Sequence, residues 1–233
     1  MSLHSGHSCE ITRRHDLVFV RPRAWRSFLE TRDDLAEDPL VAGWVDQGWP
    51  LIARRFAPDE GDGVPLGLPL PPSAGKRRIG LLMDPTCVRC ITRPPLLSSA
   101  LWAAPAAWVP TLRALDSVAA RNGLEARVFG SLAWCLLTGM NYLTASSDLD
   151  FILLHRKTSA FRPRISGGFA GLTTELAAIA SAAPMQLDGE IVRSDGAGVH
   201  WRELQSGARV VLAKTTRAPI LLNSAEFISG NSS

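Results

Sequence analysis

The chain has no strong charge of either sign, no run of apolar residues long enough for a bilayer and no cysteine framework, and each absence removes a class of function. Lysine and arginine outnumber aspartate and glutamate by only 25 to 22, a net charge of +3. So small an excess does not announce a nucleic-acid binder. The apolar stretch Leu96 to Val109 is too short to span a membrane and carries Pro105. The N-terminus, with His4, His7 and Glu10, lacks an apolar signal core. Four cysteines are scattered at Cys9, Cys87, Cys90 and Cys135, and only Cys87 and Cys90 form a C-x-x-C. There is no second such pair, and His15 and His155 are distant in sequence, so neither a zinc site nor a redox centre is indicated. Two reduced thiols near a strand end fit better, and with them a soluble protein of the cytoplasm. A P-loop is also missing. Gly75-Lys76 invites the comparison, but Leu70 stands where the first glycine belongs and Arg77 where a serine or threonine belongs. No internal repeat or low-complexity segment occurs.

What remains is an ordinary globular composition: 233 residues, 46% hydrophobic and 20% charged, enough for one large domain or two small ones. The basic residues are few but grouped, as Arg13-Arg14, Arg54-Arg55 and Lys76-Arg77-Arg78. Such groups suit an anionic ligand or an acidic protein partner.

Taken in order, residues 17–20 read as an apolar strand, and Pro22 opens a helix whose Trp25, Phe28 and Leu29 share a face. Asp38-Pro39 opens a second helix that Gly48 ends. A strand follows over 50–56, then a turn-rich loop. Pro65 and Pro69 are expected to bar the segment 64–72 from the centre of a sheet, leaving an extended loop or an edge. Lys76, Arg77 and Arg78 lead into a strand ending at Met83. Residues 1–95 thus read as a small α/β module. From Leu96 the texture turns helical, over 98–104 and 107–120, with Asn122-Gly123 as the stop. Later come a basic loop over 155–168, an alanine-rich helix over 169–182 and a strand over 185–192. A turn at 194–198 is expected to join it to a strand over 199–204; a last strand runs over 208–214, and the tail after Asn223 fades into small polar residues.

One stretch organises the second part. Val128-Phe129-Gly130-Ser131 reads as a strand and a tight turn; a helix follows over 132–138, with Ser131 placed to cap it and Gly139 to close it. A second strand then begins at Ser147-Asp148-Leu149-Asp150. Residues two apart on a strand share a face, so Asp148 and Asp150 project together. Paired carboxylates repel unless a hard cation sits between them, and Mg²⁺ takes such oxygens together with substrate phosphates. The helix N-terminus beside them offers free amides to phosphate. A D-x-D or a Gly-Ser turn alone is commonplace; in this order, each flanked by apolar strand residues, the two together are much more specific, and the segment resembles the nucleotidyltransferase superfamily.

A further carboxylate is needed to hold or polarise a nucleophile. Asp188 and Glu190 lie on the following strand and share a face; Asp188 is preferred, being short and followed by Gly189, with Glu190 expected at the surface of a hairpin. Lys214, ending its strand, could meet a phosphate as a point charge or reach solvent. Glu203 lies nearby, and Trp201 is expected in the core.

The likeness extends further along the chain. Arg14-His15-Asp16, Pro50-Leu51-Ile52 with Arg54-Arg55, Val64-Pro65-Leu66-Gly67-Leu68-Pro69 and Gly75-Lys76-Arg77-Arg78-Ile79 precede the Gly130-Ser131 and Asp148-Leu149-Asp150 motifs. Leu187-Asp188-Gly189-Glu190 and Trp201-Arg202-Glu203-Leu204 follow. In that order, over residues 13–217, they resemble the malonate decarboxylase holo-acyl-carrier-protein synthases, the phosphoribosyl-dephospho-CoA transferases. The resemblance implies an α/β (α+β) protein with a nucleotidyltransferase-like mixed sheet and flanking helices over 96–233, beside the smaller N-terminal module. It implies transfer from 2′-(5″-triphosphoribosyl)-3′-dephospho-CoA to a serine of the decarboxylase's acyl-carrier subunit, with Mg²⁺ and loss of pyrophosphate. Asp148, Asp150 and Asp188 would be the catalytic and metal-binding residues. Gly130 and Ser131 would bind the leaving phosphates. Arg54, Arg55, Lys76, Arg77, Arg78 and Lys214 are candidates for the remaining substrate contacts. The interval from Ser131 to Asp148 requires the loop 140–147 to fold back. Two other readings compete: a nucleotidyltransferase that uses an ordinary nucleoside triphosphate, and a non-catalytic protein that binds the acyl carrier.

Overall fold

A computed structural model describes residues 13–155 and 168–229; the basic loop expected over 155–168 and the polar N-terminus fall largely outside them. Two compact units result, one comprising the chain through Pro69 together with Arg78–Arg93, the other Leu70–Arg77 and the chain from Pro94 onward.

In the first unit, β1 (Leu17–Val20), β2 (Leu51–Ala53), β3 (Val64–Pro69), β4 (Arg78–Met83) and β5 (Val88–Thr92) form an antiparallel sheet ordered β4-β3-β2-β1-β5. Three helices, α1 (Pro22–Leu29), α2 (Asp33–Ala36) and α3 (Pro39–Gly43), connect β1 to β2. Pro22 occupies the first turn of α1, and the Asp38 carboxylate accepts from Leu40 and Val41 N–H at the start of α3. Trp25 and Trp44 are buried, and each indole N–H finds a carbonyl, Val41 O at 3.1 Å and Pro50 O at 2.9 Å.

The segment 64–69 corrects the expectation of an edge: β3 is an interior strand. Its prolines are tolerated because of which neighbour they face. In an antiparallel strand the N–H and C=O of one residue point to the same side. Pro65 O accepts from Arg54 N–H, and Leu70 N–H donates to Arg77 O, so odd residues face β2 and even residues face β4. The registered pairing with β2 covers only Leu66 and Gly67. Pro65 and Pro69 fall just beyond it, and Pro65 takes part there through its carbonyl alone. Strand β5 was not legible, since its burial does not alternate; Cys90 lies inside it, and Cys87 and Cys90 are free thiols.

Asp16 is 3% exposed and accepts from Arg13 N–H and the Arg93 guanidinium. Burial outweighs these contacts and holds its pKa above the ordinary carboxylate value. A carboxyl raised on folding stabilises the fold below its unfolded pKa, about 3.9, and that contribution is lost as pH rises through the folded value. Asp16→Asn is therefore expected to flatten this part of the stability profile, measured as urea midpoints on a pH series from about 4 to 7. A midpoint that changes with pH equally in both proteins would contradict the assignment.

The second unit is a six-stranded sheet ordered β11-β10-β9-β8-β7-β6. Its strands are β6 (Leu124–Val128), β7 (Leu149–His155), β8 (Leu187–Val192), β9 (Gly198–His200), β10 (Val210–Lys214) and β11 (Pro219–Asn223). Only β7 and β8 pair in parallel, and α6 (Gly168–Ala182) belongs to the crossover between them. The other helices are α4 (Val109–Arg121), α5 (Gly130–Thr138), α7 (Trp201–Gln205) and α8 (Ser224–Ser229). One set of alternating residues, Val128, Phe151, Leu153, Ile191, Val199 and Val211, shares a buried core with Leu112 and Leu115 of α4 and Leu172 and Leu176 of α6. Register puts the opposite parity on the other face: Asp150 beside Asp188, Glu190 beside His200 and Gly198 beside Lys214. That face carries the carboxylates together with the buried apolar Ile152 and Val192.

Three sequence expectations are corrected here. The strand foreseen over 199–204 stops at His200, where buried Trp201 begins α7; Val199 and Trp201 fit strand alternation, but Trp201 and Leu204 fit helical spacing. The strand ending at Lys214 is not the last, because β11 follows it, and α8 begins at Ser224 where only a polar tail was expected. That hairpin was missed because β11 pairs on one side only and its Ile220 and Leu221 are exposed, so it shows no alternation of apolar and polar positions. Ser131 does not cap the helix. α5 starts one residue earlier, at Gly130, with Phe129 in the capping position and no side-chain cap; Gly139 closes it with φ +73° as expected. Among the described residues no helix is long and apolar enough to cross a membrane.

Candidate active site

The site is assembled at the ends of β6, β7 and β8. Phe129 leaves β6 in an extended conformation, and its N–H donates to Asp150 O at 3.1 Å, tying the turn to β7. Gly130 then turns with φ +63° and starts α5. A Cβ at this position would lie 1.8 Å from Asp150 Oδ2. The carboxylate therefore occupies the space that a side chain would fill, directly against the first turn of α5. Across the sheet, Leu149 N–H donates to Gln186 O, and Asp150 is in register with Asp188. Gly189 answers a second steric need, since a Cβ there would lie 2.2 Å from the Phe151 ring.

As a result, one oxygen each from Asp148, Asp150 and Asp188 lie within 4.8 Å of one another, Asp148 exposed and the other two half-buried. Three carboxylate oxygens at this spacing repel strongly when all are ionised. They form the hard-oxygen donor set that suits a divalent cation such as Mg²⁺, so these residues fit a metal. The space over Gly130 that Asp150 uses is part of that fit. The backbone amides opening α5 sit beside the cluster and offer an anion site.

Asp188 is kept ionised by its neighbour. The imidazole of His200 approaches with Nε2 3.3 Å from Asp188 Oδ1, and this hydrogen bond lowers the carboxyl pKa against an opposing effect of burial. Glu190, two residues on, is not at the surface of a hairpin. It is 2% exposed and receives a hydrogen bond from Lys214 Nζ at 2.8 Å. Gly198 makes room for it, a Cβ there falling 2.8 Å from Glu190 Oε2. Of the two acids weighed for the third position, Asp188 is the one that joins the cluster, and Glu190 belongs to an ion pair.

The basic candidates are placed differently from one another. Arg54 is engaged with Glu60 and with the carbonyls of Arg55, Leu66 and Leu81, and Lys214 with Glu190. Arg55 is half-buried, with an Nε that has no hydrogen-bond partner among the described residues. Lys76, Arg77 and Arg78 are exposed. Glu203 supports the sheet. Its Oε2 accepts from Leu212 N–H at 2.7 Å, satisfying a β10 donor where β9 has ended. Trp201 is fully buried, as the sequence led one to expect.

His200 was missed by sequence reasoning. The signal was available in the turn at 194–198. Closing that hairpin with Val192 opposite Gly198 puts His200 opposite Glu190, beside Asp188.

Comparisons with known proteins agree with one another. The family models described as phosphoribosyl-dephospho-CoA transferase MdcG N-terminal domain and C-terminal domain match residues 13–94 and 96–225. A protein of Bradyrhizobium diazoefficiens named phosphoribosyl-dephospho-CoA transferase is 48% identical over 217 residues, 93% of this chain and 92% of its own length. Proteins of the same name from Xanthomonas campestris pv. campestris and Xanthomonas axonopodis pv. citri are each 32% identical. The first match covers 86% of this chain and 89% of the relative, the second 94% and 98%. No solved structure matches the chain.

Proposed function

The chain belongs to the phosphoribosyl-dephospho-CoA transferase family, and from that premise we propose the full reaction of this transferase. It takes 2′-(5″-triphosphoribosyl)-3′-dephospho-CoA and passes the phosphoribosyl-dephospho-CoA group to a serine of the malonate decarboxylase acyl-carrier subunit. The serine oxygen forms a bond to the phosphorus nearest the ribose. The bridging P–O bond to the next phosphate breaks, its electron pair leaves with pyrophosphate, and the hydroxyl proton passes to a base. The observation that carries this reading is the meeting of Asp148, Asp150 and Asp188 oxygens within 4.8 Å beside the Gly130 turn.

Asp148, Asp150 and Asp188 would hold Mg²⁺. When bound, the ion supplies Lewis-acid stabilisation of charge on the triphosphate. The amides of Gly130 and Ser131 at the start of α5 orient the leaving phosphates through direct N–H donation. Asp188 completes the cation site or accepts the serine proton. We assign Lys76, Arg77, Arg78 and Arg55 to the anionic remainder of the donor or to an acidic carrier surface. Arg54 and Lys214, engaged with Glu60 and Glu190, receive structural roles instead. We place the reaction in the cytoplasm, consistent with the free thiols of Cys87, Cys90 and Cys135.

The test is mass spectrometry of the purified carrier subunit after incubation with the protein, Mg²⁺ and the triphosphoribosyl donor, with ATP as the parallel substrate. A gain equal to one phosphoribosyl-dephospho-CoA on a single serine, with ATP inert, is the expected result. Addition of AMP from ATP would make the protein an ordinary nucleotidyltransferase, and no gain with either donor would leave only carrier binding.

A further inference from the structure

We propose that His200 is the positioning residue of the carboxylate cluster, an imidazole fixed by its neighbours whose Nε2 hydrogen bond holds Asp188 in place for a cation. The proposal rests on the metal-site reading above.

The imidazole is fixed from both sides. His200 ends β9 and precedes α7, and its Nδ1 accepts from Arg202 N–H at 3.2 Å, capping that helix. A ring nitrogen that accepts a hydrogen bond carries no proton, so in the neutral ring the hydrogen resides on Nε2. Nε2 is the atom 3.3 Å from Asp188 Oδ1. The ring also stacks on Trp201, centroids 6.2 Å apart and planes 23° from parallel, and that indole is fully buried. Backbone cap, stack and carboxylate together leave the imidazole little freedom. One Asp188 oxygen is thereby engaged, and the other keeps its lone pairs for a cation.

The surrounding charges explain why a single hydrogen-bond donor stands here. Beyond the cluster itself, Glu190 and Lys214 are the charged pair that acts on Asp188 from the same face, and they satisfy each other at 2.8 Å. Lys214 therefore offsets Glu190, so a fourth negative charge does not disturb the cluster. A permanently charged lysine or arginine placed on Asp188 itself would compete with a divalent ion for the same oxygens. An imidazole that donates one hydrogen bond orients the carboxylate and leaves its charge in place, the role that outer partners commonly have around metal ligands.

Two substitutions separate this role from helix capping. The amide of asparagine occupies the region of Nδ1, so His200→Asn preserves a capping acceptor for Arg202 but does not reach Asp188. The longer glutamine places its amide N–H near Nε2, so His200→Gln keeps the donor to Asp188 and loses the cap. Mn²⁺ serves as the probe. Its binding to the whole protein is measured by electron paramagnetic resonance without substrate, and melting temperature is recorded for each variant. Wild type and Asp150→Asn are run alongside. The expected pattern is about 10- to 100-fold weaker Mn²⁺ binding for His200→Asn with near-native melting, and near-native binding for His200→Gln with lowered melting. Binding that tracks melting, with the asparagine variant native and the glutamine variant impaired, would make His200 a cap only and overturn the proposal. If wild type and Asp150→Asn bind Mn²⁺ equally, the metal-site reading itself fails and this role falls with it.

Discussion

Gly130→Ala is expected to abolish transfer while the protein remains folded. The added methyl would be placed 1.8 Å from Asp150 Oδ2 and 2.5 Å from its Cγ, so the carboxylate must move out of the cluster. The helix start has little room to give way, because Phe129 N–H is bonded to Asp150 O and α5 begins at Gly130 itself. The substitution also places a side chain at φ +63°, which costs about 1–2 kcal/mol. Gly139→Ala is the control. It has φ +73° and nothing within 4 Å of the new Cβ, so it bears the backbone cost without the collision. Gly130→Ala should lower kcat/KM by about a thousandfold or more, the loss of several kcal/mol of charge stabilisation. Gly139→Ala should lose melting temperature and keep most of its turnover. Equal activity in the two variants would mean that the position of Asp150 does not matter to the reaction.

Asp148→Asn and Asp150→Asn are expected to have similar kinetic effects with the opposite effect on stability. Each keeps the shape of the side chain and removes one charge from a cluster whose oxygens lie within 4.8 Å of one another. Loss of a cation ligand should reduce kcat/KM by about a thousandfold. In a chelating buffer the same change relieves repulsion between like charges, so the melting temperature should hold or rise. Adding Mg²⁺ should stabilise the wild-type protein in proportion to its occupancy and the variants much less. A variant that still modifies the carrier at the wild-type rate would remove its aspartate from the catalytic site. A variant that melts lower in chelator would show that the carboxylate serves the fold.

Local chemistry made much of this protein legible in its sequence. Strand, Gly-Ser turn, helix and D-x-D follow one another within about 25 residues, and each is decided by backbone freedom or by alternation of side chains along a strand. The same holds for Asp38 at the start of α3, Gly139 at the end of α5, and the buried Trp25 and Trp201. The likeness of the whole chain to its family also rests on sequence alone.

Tertiary structure decided what depends on the neighbour across the sheet. Pro65 and Pro69 bar an interior strand only if their missing donors break a registered pairing, and the register of the short β2 ends before either of them. Glu190 and Asp188 share a face and a spacing, yet one is buried against Lys214 and the other joins Asp148 and Asp150. That choice was made by Gly198 and Lys214, residues 8 and 24 positions beyond Glu190, through the pairing of β8, β9 and β10. His200 reached Asp188 by the same pairing. The sequence determined which carboxylates were available and the turn beside them. The register of the sheet determined which of those carboxylates meet, because a strand's own residues fix its faces but not what lies across from them.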